Sequence, residues 1–437
     1  MKQSTDVLIV GAGPAGLSAA LAAANDGARV VLVDDNPLPG GQIWRDGAQA
    51  RVPAQARQLC EAVDNHATIQ RHEATRVVAR AGKNGLLVED VERGWVIDYH
   101  RLILCTGARE LLLPFPGWTL PGVTGAGGLQ ALIKGGLPVA GERIVIAGSG
   151  PLLLASASTA KHNGAQVLRI AEQVTARSVA RFALQLPRWP HKLLQAFALF
   201  DANYRTRTRI IAALGSDRLE GVRLQRGDQV EELQCERLAC GFGLIANTGL
   251  GQAFGCALAN DAIGVDTWQA TNVAGLYAAG ECTGFGGSEL ALVEGRIAGH
   301  AAAGNRAAAQ RLWPARARWQ RFAAALHEHF ALDPALKRMA DADTLLCRCE
   351  DVPYAAVAAH TSWREAKLAT RCGMGACQGR VCGAAAQHLF GWQPPAPRPP
   401  FSPARIDTLI RLETPGESAE ERKKDIFHCP PAAHIKR

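Results

Sequence analysis

No Cys-x-x-Cys pair occurs anywhere in the sequence, which argues against a redox-active disulfide of the kind disulfide reductases carry. No uninterrupted apolar run approaches 18 residues, which excludes a transmembrane helix. Met1-Lys2-Gln3-Ser4-Thr5-Asp6 leads straight into an apolar strand, so a signal peptide is not expected either. Blocks of like charge and interleaved aromatics are also missing. The net charge of +8, from 48 basic and 40 acidic residues, therefore reads as a solvated surface and excludes a nucleic-acid groove. Isolated histidines such as His66, His72 and His100 do not assemble into an acid–base set, and no catalytic acid or base is assigned.

What is present is globular material: 437 residues, 48% hydrophobic and 20% charged, with 45 glycines and 12 cysteines. The length is enough for two to four domains. Without an export signal the cysteines are expected to be reduced, and clustering among them points to metal or redox chemistry.

Two segments share one layout, an apolar strand, a glycine-rich turn and an Ala-rich helix. The first runs Asp6-Val7-Leu8-Ile9-Val10 into Gly11-Ala12-Gly13-Pro14-Ala15-Gly16. Gly11 permits the tight turn, Gly13 admits a pyrophosphate close to the backbone, and Gly16 lets helix and strand pack closely. The helix N-terminus offers N–H groups and a positive dipole end to phosphates. The next strand, Val30 to Val33, ends at Asp34-Asp35, 18 and 19 residues after Gly16. One of these acids is expected on a ribose; counting favours Asp34, and Asp35 stays in play. The second segment runs Arg143 to Ala147 into Gly148-Ser149-Gly150-Pro151-Leu152-Leu153. Its third glycine is replaced by Leu153, and counting puts Ala171 where the first unit has Asp34, with Glu172 following.

Three further pieces belong with the first turn. Gly40-Gly41-Gln42 bends the chain just after the acid, Leu102 to Cys105 is a strand ending in Thr106-Gly107-Ala108, and Gly275 to Gly280 is a strand ending at Gly280-Glu281. With these in place the chain resembles the two-dinucleotide-domain flavoprotein superfamily. The resemblance implies an α/β fold with two Rossmann-like domains of the disulfide-reductase-like type. It also implies FAD held by Gly11, Gly13, Pro14, Ala15, Gly16, Asp34, Asp35, Gly40, Gly41, Gln42, Arg45, Thr106, Gly107, Ala108, Gly280 and Glu281. Glu281 stands where the family usually has Asp. In the second domain, Gly148 and Gly150 are where the family binds NAD(P)H. This copy can bind it, hold a structural adenine nucleotide, or be empty.

Five cysteines fall within Cys347-Arg348-Cys349 and Thr370-Arg371-Cys372-Gly373-Met374-Gly375-Ala376-Cys377-Gln378-Gly379-Arg380-Val381-Cys382. Four thiolates among glycine N–H groups suit a [2Fe–2S] cluster; zinc is the other four-thiolate candidate, without its usual knuckle spacing here. The segment resembles the small domain of bacterioferritin-associated ferredoxin, which implies Cys347, Cys349, Cys377 and Cys382 as ligands. Cys372 is the spare, although Cys372-x₄-Cys377 repeats the Cys377-x₄-Cys382 spacing, which leaves an exchange open.

The combination, with Pro39-Gly40-Gly41-Gln42-Ile43-Trp44-Arg45 and Cys347-Arg348-Cys349-Glu350-Asp351-Val352, resembles one subunit of heteromeric dye-linked amino-acid dehydrogenases. These include hydroxyproline and proline dehydrogenase, octopine and nopaline oxidase, and hydrogen cyanide synthase. The resemblance covers residues 1 to about 395. It implies an amino-acid-oxidase-like flavoprotein partner that oxidises a C–N bond to an imine, in some complexes a small ferredoxin-like subunit, and room for FMN at a subunit interface. A bacterial, cytoplasmic or inner-membrane-associated complex follows from it as well. The expected domains are FAD-binding (1–130 and 242–305), second nucleotide-binding (131–241), a helical linker (306–343), the [2Fe–2S] domain (344–392) and a Pro-rich, polar tail (393–437). Two other readings remain: a self-sufficient NAD(P)H-dependent reductase feeding the cluster, and a scaffold whose tail docks a partner.

Overall fold

A computed structural model describes residues 2–45, 52–393 and 395–412. Residues 394 and 413–437 of the expected tail lie outside the described residues. Among those described, no helix is long and apolar enough to cross a membrane.

The first sheet grows from the run Val7-Leu8-Ile9, fully buried because Val7 and Ile9 cluster with the helix Pro14–Asn25 on one face and Leu8 clusters with Phe254, Cys256 and Ile263 on the other. Its seven strands run in the order Ile69–His72, Val30–Val33, Lys2–Val10, Gly94–Leu104, Gly85–Glu89, Arg76–Arg80, with Leu276–Ala278 also pairing with Gly94–Leu104. The pairings among the first four are parallel, as is that of Leu276–Ala278; the last two strands are antiparallel. The helix Pro14–Asn25 packs on the helix Gly287–Ala302, both built of small residues. At Gly299 a Cβ would lie 2.3 Å from the Ala19 carbonyl oxygen, so the two backbones meet with nothing between them. His300 pairs with Asp26 at 2.6 Å at one end of that contact.

A second, wholly parallel sheet has the order Tyr204–Arg205, Gln166–Glu172, Arg143–Gly148, Arg237–Gly241, Val123–Gly125. It includes Val123–Gly125, and the helix Ala126–Lys134 packs against it. The boundary expected at 130/131 therefore cuts through a helix of the second unit. The chain crosses instead at an antiparallel ribbon of Ala108–Glu110 and Leu244–Ala246. Glu110 on that ribbon accepts from the N–H groups of Gly127 (2.6 Å) and Gly128 (2.8 Å), satisfying free donors at a helix start. A three-stranded antiparallel sheet, Thr208–Leu214, Gly221–Arg226 and Gln229–Gln234, completes this unit.

The segment 306–343 is more than a connector. Its helix Trp313–His329 buries Trp319 and Phe322 against Phe182 and Trp189 of the second unit and Leu290 of the first. The cysteine-bearing unit follows as a short ribbon, Leu345–Cys347 with Val352–Pro353, and three helices, Tyr354–Ala358, Trp363–Thr370 and Cys382–Phe390, around Leu346, Val357 and Trp363. Beyond it the chain folds back on the first sheet. Phe401 donates its N–H to the Val78 carbonyl at 2.7 Å, Arg405 donates its N–H to Glu89 at 2.9 Å, and Ala404, Leu409 and Leu412 cover Val78, Ala79 and Leu87. The described part of the tail is thus packed on the chain itself.

Candidate dinucleotide cleft and cysteine centre

The strand Lys2–Val10 delivers the glycine turn to the mouth of a cleft of about 700 Å³. Two of its glycines are required by the protein's own packing. A Cβ on Gly11 would sit 2.2 Å from the Cys105 carbonyl oxygen, and one on Gly16 would sit 1.7 Å from that of Gly11. Gly13 is different: a Cβ there would meet only the Gly41 Cα, at 3.9 Å, and would otherwise project into open space. The helix that follows has no side-chain cap and no acid in its first turn, so its N–H groups are available to an anion.

Gly11, Gly13, Pro14, Ala15, Gly41 and Gln42 form one side of the cleft, joined by Asp34, Asp35, Thr106, Gly107, Ala108 and Glu281. The other expected residues support rather than line it. Gly16 holds the turn, Gly40 donates its N–H to the Ala12 carbonyl at 2.8 Å, and Gly280 donates to Glu294 at 3.1 Å. Arg45 binds Gln42 (3.0 Å) and Asn36 (3.4 Å) and is not among the lining residues. His66, His72, His100 and Glu289 do not line it either; Glu289 pairs with Lys192 at 2.7 Å.

The two candidate ribose acids have different surroundings. Asp34 is buried, accepting from the Ala12 N–H and from the Asn36 backbone and side-chain nitrogens, both 2.7 Å. Asp35 opens onto the cleft, whose walls strip part of its water, and this partial desolvation together with the Asp34 charge pushes its carboxyl up, against the pull of Arg380 and Arg76. Glu281 accepts no hydrogen bond among the described residues, and burial raises its carboxyl above the ordinary value. A cradle open only at Gly13, free helix N–H groups and a carboxylate without a donor at Glu281 fit a dinucleotide bearing phosphates and hydroxyls.

Other cleft residues carried no recognisable signal in the sequence. Arg109 donates to Asn247 Oδ1 at 2.8 Å and to the Arg380 carbonyl at 3.2 Å. Asn247 in turn bonds the Thr106 carbonyl at 2.9 Å and receives the Thr106 hydroxyl on its own carbonyl at 2.7 Å. Arg380, Thr75, Arg76 and Val77 also line the cleft, as do Pro395, Pro397, Phe401 and Ser402 from the returning tail. Chain folding alone brings these together.

The second glycine turn is built differently from the sequence count. A bulge between Val167 and Arg169 inserts one residue into its strand, so Glu172, not Ala171, stands opposite Gly148. Glu172 is thus the counterpart of Asp34. It is fully buried and already accepts from the Gly150 N–H (2.8 Å), the Val174 N–H (3.1 Å) and the Tyr204 hydroxyl (3.1 Å). Leu153 does not force helix and strand apart: it fills space left by Gly241, where a Cβ would lie 2.8 Å from its methyl carbon. Gly148 and Gly150 line no part of the cleft. Chain from the end of the Trp313–His329 helix lies on this turn instead. Ser149 donates to the Phe330 carbonyl at 2.9 Å, Ser178 to that of His329 at 2.7 Å, and Gln173 to that of Ala331 at 3.1 Å. The Phe330 ring and Cβ stand 3.8 Å from where a Cβ on Gly150 would be.

The five C-terminal cysteines form two groups. The sulfurs of Cys347, Cys372 and Cys382 lie within 4.8 Å of one another, all buried. Cys349 and Cys377 interact with each other nearer the surface, Cys349 being exposed. The groups also feel each other, through Cys347 with Cys349 and Cys377 with Cys382. Burial works against a thiolate at Cys377, but the N–H groups of Val381, Gly379 and Arg380 and the Cys349 thiol outweigh it and hold the thiol below its ordinary value. Soft donors ringed by backbone N–H groups suit an iron–sulfur centre. The structure also draws Cys372, the expected spare, into the buried trio. Elsewhere Cys105, Cys240, Cys256 and Cys282 are buried singly or in pairs as core thiols raised by desolvation.

The sequence pattern of the pyridine nucleotide-disulphide oxidoreductase family matches residues 5–307, spanning both glycine turns. The opine oxidase A-subunit of Rhizobium meliloti is 32% identical over 458 aligned residues, 95% of this chain and 86% of that protein. The hydrogen cyanide synthase HcnB protein of Pseudomonas aeruginosa is 30% identical over 469 residues, 93% of this chain and 98% of its own. An L-proline dehydrogenase structure from P. horikoshii shares the fold, with a TM-score of 0.65 at 18% identity over 93% of this chain and 80% of that one. The chain therefore belongs to the pyridine nucleotide-disulphide oxidoreductase family, as a flavoprotein oxidoreductase related to the opine oxidase A and HcnB subunits.

Proposed function

We propose that this chain is the FAD- and [2Fe–2S]-carrying subunit of a heteromeric amino-acid or opine dehydrogenase. Its partner is an amino-acid-oxidase-like flavoprotein subunit that oxidises a C–N bond to an imine, and this chain takes the electrons and passes them to an acceptor. The observation that carries the reading is the shared wall between the two centres. Gln378, Gly379 and Arg380, which lie between Cys377 and Cys382, also line the dinucleotide cleft. When bound, FAD takes up two electrons together and releases them singly, the form an iron–sulfur cluster accepts. The Gly11–Gly16 turn and the helix behind it hold phosphates, Asp34 and Asp35 face the ribose end, and Glu281 accepts from hydroxyls. Cys347, Cys349, Cys377 and Cys382 hold the cluster.

A test follows from the division of labour. The purified chain alone should show little oxidation of amino acids or opines with an artificial electron acceptor, and the partner flavoprotein should restore turnover. Full activity of the chain alone would overturn the reading. The absorption spectrum should show a flavin peak with a broad iron–sulfur shoulder; a plain flavin spectrum with zinc on the thiolates would contradict the cluster. The NAD(P)H-dependent alternative meets the chain laid over Gly150, and stopped-flow mixing with NADH or NADPH should leave the flavin absorbance unbleached. The relatives' subunit names support a partner, and a small ferredoxin-like subunit or interfacial FMN would show in the native complex by mass spectrometry.

A further inference from the structure

The loop Gln378-Gly379-Arg380 touches two centres at once. On one side, the N–H groups of Gly379, Arg380 and Val381 surround the Cys377 sulfur. On the other, the Arg380 carbonyl accepts from Arg109, and through Arg109 and Asn247 it is tied to the Thr106-Gly107 wall of the cleft. The loop's shape is costly to hold unaided: Gln378 has φ +51°, a left-handed conformation that side chains rarely adopt. Gln378 steadies it by donating to the carbonyls of Met374 and Gly375, both at 3.0 Å. Backbone bonds from Gln378 to the Gly375 carbonyl (2.8 Å) and from Arg380 to the Cys377 carbonyl (3.1 Å) help hold it, and Cys377 and Cys382 stand at its ends.

Two guanidinium groups on this wall lack the partner such groups normally have. Neither Arg109 nor Arg380 makes an ion pair among the described residues, and the proximity of Arg380 adds to burial in depressing Arg109. Like charges held together on the wall of a cleft are stabilised by an anion bound there. The planar donor fork of arginine matches phosphate oxygens. Asp35 supplies part of the compensation to Arg380 at a distance; a dinucleotide's diphosphate would supply the rest.

We propose that Arg380, carried on the cysteine-centre loop, is a binding residue for the FAD diphosphate, and that cluster and FAD binding are therefore positively coupled. This deepens the function proposed above and rests on its pair of cofactors. Ligation of Cys377 and Cys382 fixes the loop that presents Arg380, and FAD bound to Arg380 favours the loop shape that ligation needs. Coupling of this kind is reciprocal by thermodynamic necessity.

The experiment uses the full chain, reconstituted with FAD in cluster-loaded form and after cluster removal by a chelator under reducing conditions. FAD affinity is read from the quenching of flavin fluorescence. The cluster-loaded protein should bind FAD about tenfold more tightly, within the usual range for coupled sites. By reciprocity, FAD should lower the cluster-dissociation constant by the same factor in equilibrium competition with the chelator. Arg380→Gln should weaken FAD binding about tenfold, leave the cluster's absorption and electron-paramagnetic spectra unchanged, and abolish most of the difference between the cluster-loaded and stripped forms. Equal FAD affinity with and without the cluster, or unchanged affinity in Arg380→Gln, overturns the coupling while leaving the two-cofactor function standing. Failure of the chain to hold any iron–sulfur cluster overturns both.

Discussion

Glu294 offers the sharpest test of how the first domain is balanced. It lies on the Gly287–Ala302 helix, 6% exposed, under the end of the Leu276–Ala278 strand. Its carboxylate accepts from the Gly280 N–H at 3.1 Å and the Thr283 hydroxyl at 3.3 Å, with Arg316 attracting it from the neighbouring helix and Glu281 repelling it. Burial outweighs these bonds and raises the carboxyl from its ordinary 4.5 to about 7. Below pH 4.5 the group is protonated in both folded and unfolded chains and adds no pH dependence. As the pH rises from 4.5 to 7 the unfolded chain gives up this proton while the folded protein keeps it, so stability of about 3 kcal/mol is lost across that window and changes little above it. Glu294→Gln keeps an oxygen to accept from Gly280 and cannot ionise. Its melting temperature relative to the parent should therefore climb between pH 4.5 and pH 7, by roughly 5–10 °C for a domain of this size. Scanning calorimetry of both proteins at matched FAD concentration measures that difference, and other titrating groups cancel from it. A variant-to-parent difference that stays flat across this range would refute the reasoning.

Gly13→Ala should weaken FAD binding at least about tenfold, by titration of the apoprotein, while leaving the apoprotein's melting temperature unchanged, because the new methyl group enters open cleft rather than protein. Gly299→Ala should do the reverse, costing about 1–3 kcal/mol of stability in denaturant unfolding, since its Cβ drives into the Ala19 carbonyl and the Ala22 methyl. Cys349→Ser should remove the iron–sulfur shoulder from the absorption spectrum and Cys372→Ser should keep it; the opposite pattern would reassign the ligands. Glu281→Gln should leave the fold unchanged by circular dichroism and weaken FAD binding, because its carboxylate serves no partner within the described chain.

The first nucleotide unit was legible from the sequence because its signals are local. A buried strand, three glycines at fixed spacing and an acid after the next strand lie within 30 residues. The second unit shows where counting fails: one bulged residue near Leu168 moved the acid from Ala171 to Glu172, and Gly241, on a distant strand, made room for Leu153. The boundary near 131 was misplaced because a short strand, Val123–Gly125, has too few residues to show a period. Arg109 and Arg380 could not be found by pattern at all, since their closeness depends on how the C-terminal unit docks. Nor does any periodicity reveal that Cys372 joins a buried trio or that Phe330 covers a glycine turn.

That last contact has a mechanical meaning. Two strands passing between two bodies make a swivel, and bodies so joined can rotate about it. Here the Trp313–His329 helix is bolted to the first body through Leu290 and to the second through Phe182 and Trp189, and its end is fastened to Ser149. A swivel with a strut across it is a frame. The orientation of the first glycine turn relative to the second is therefore set when the chain folds, and no hinge motion is needed to restore it.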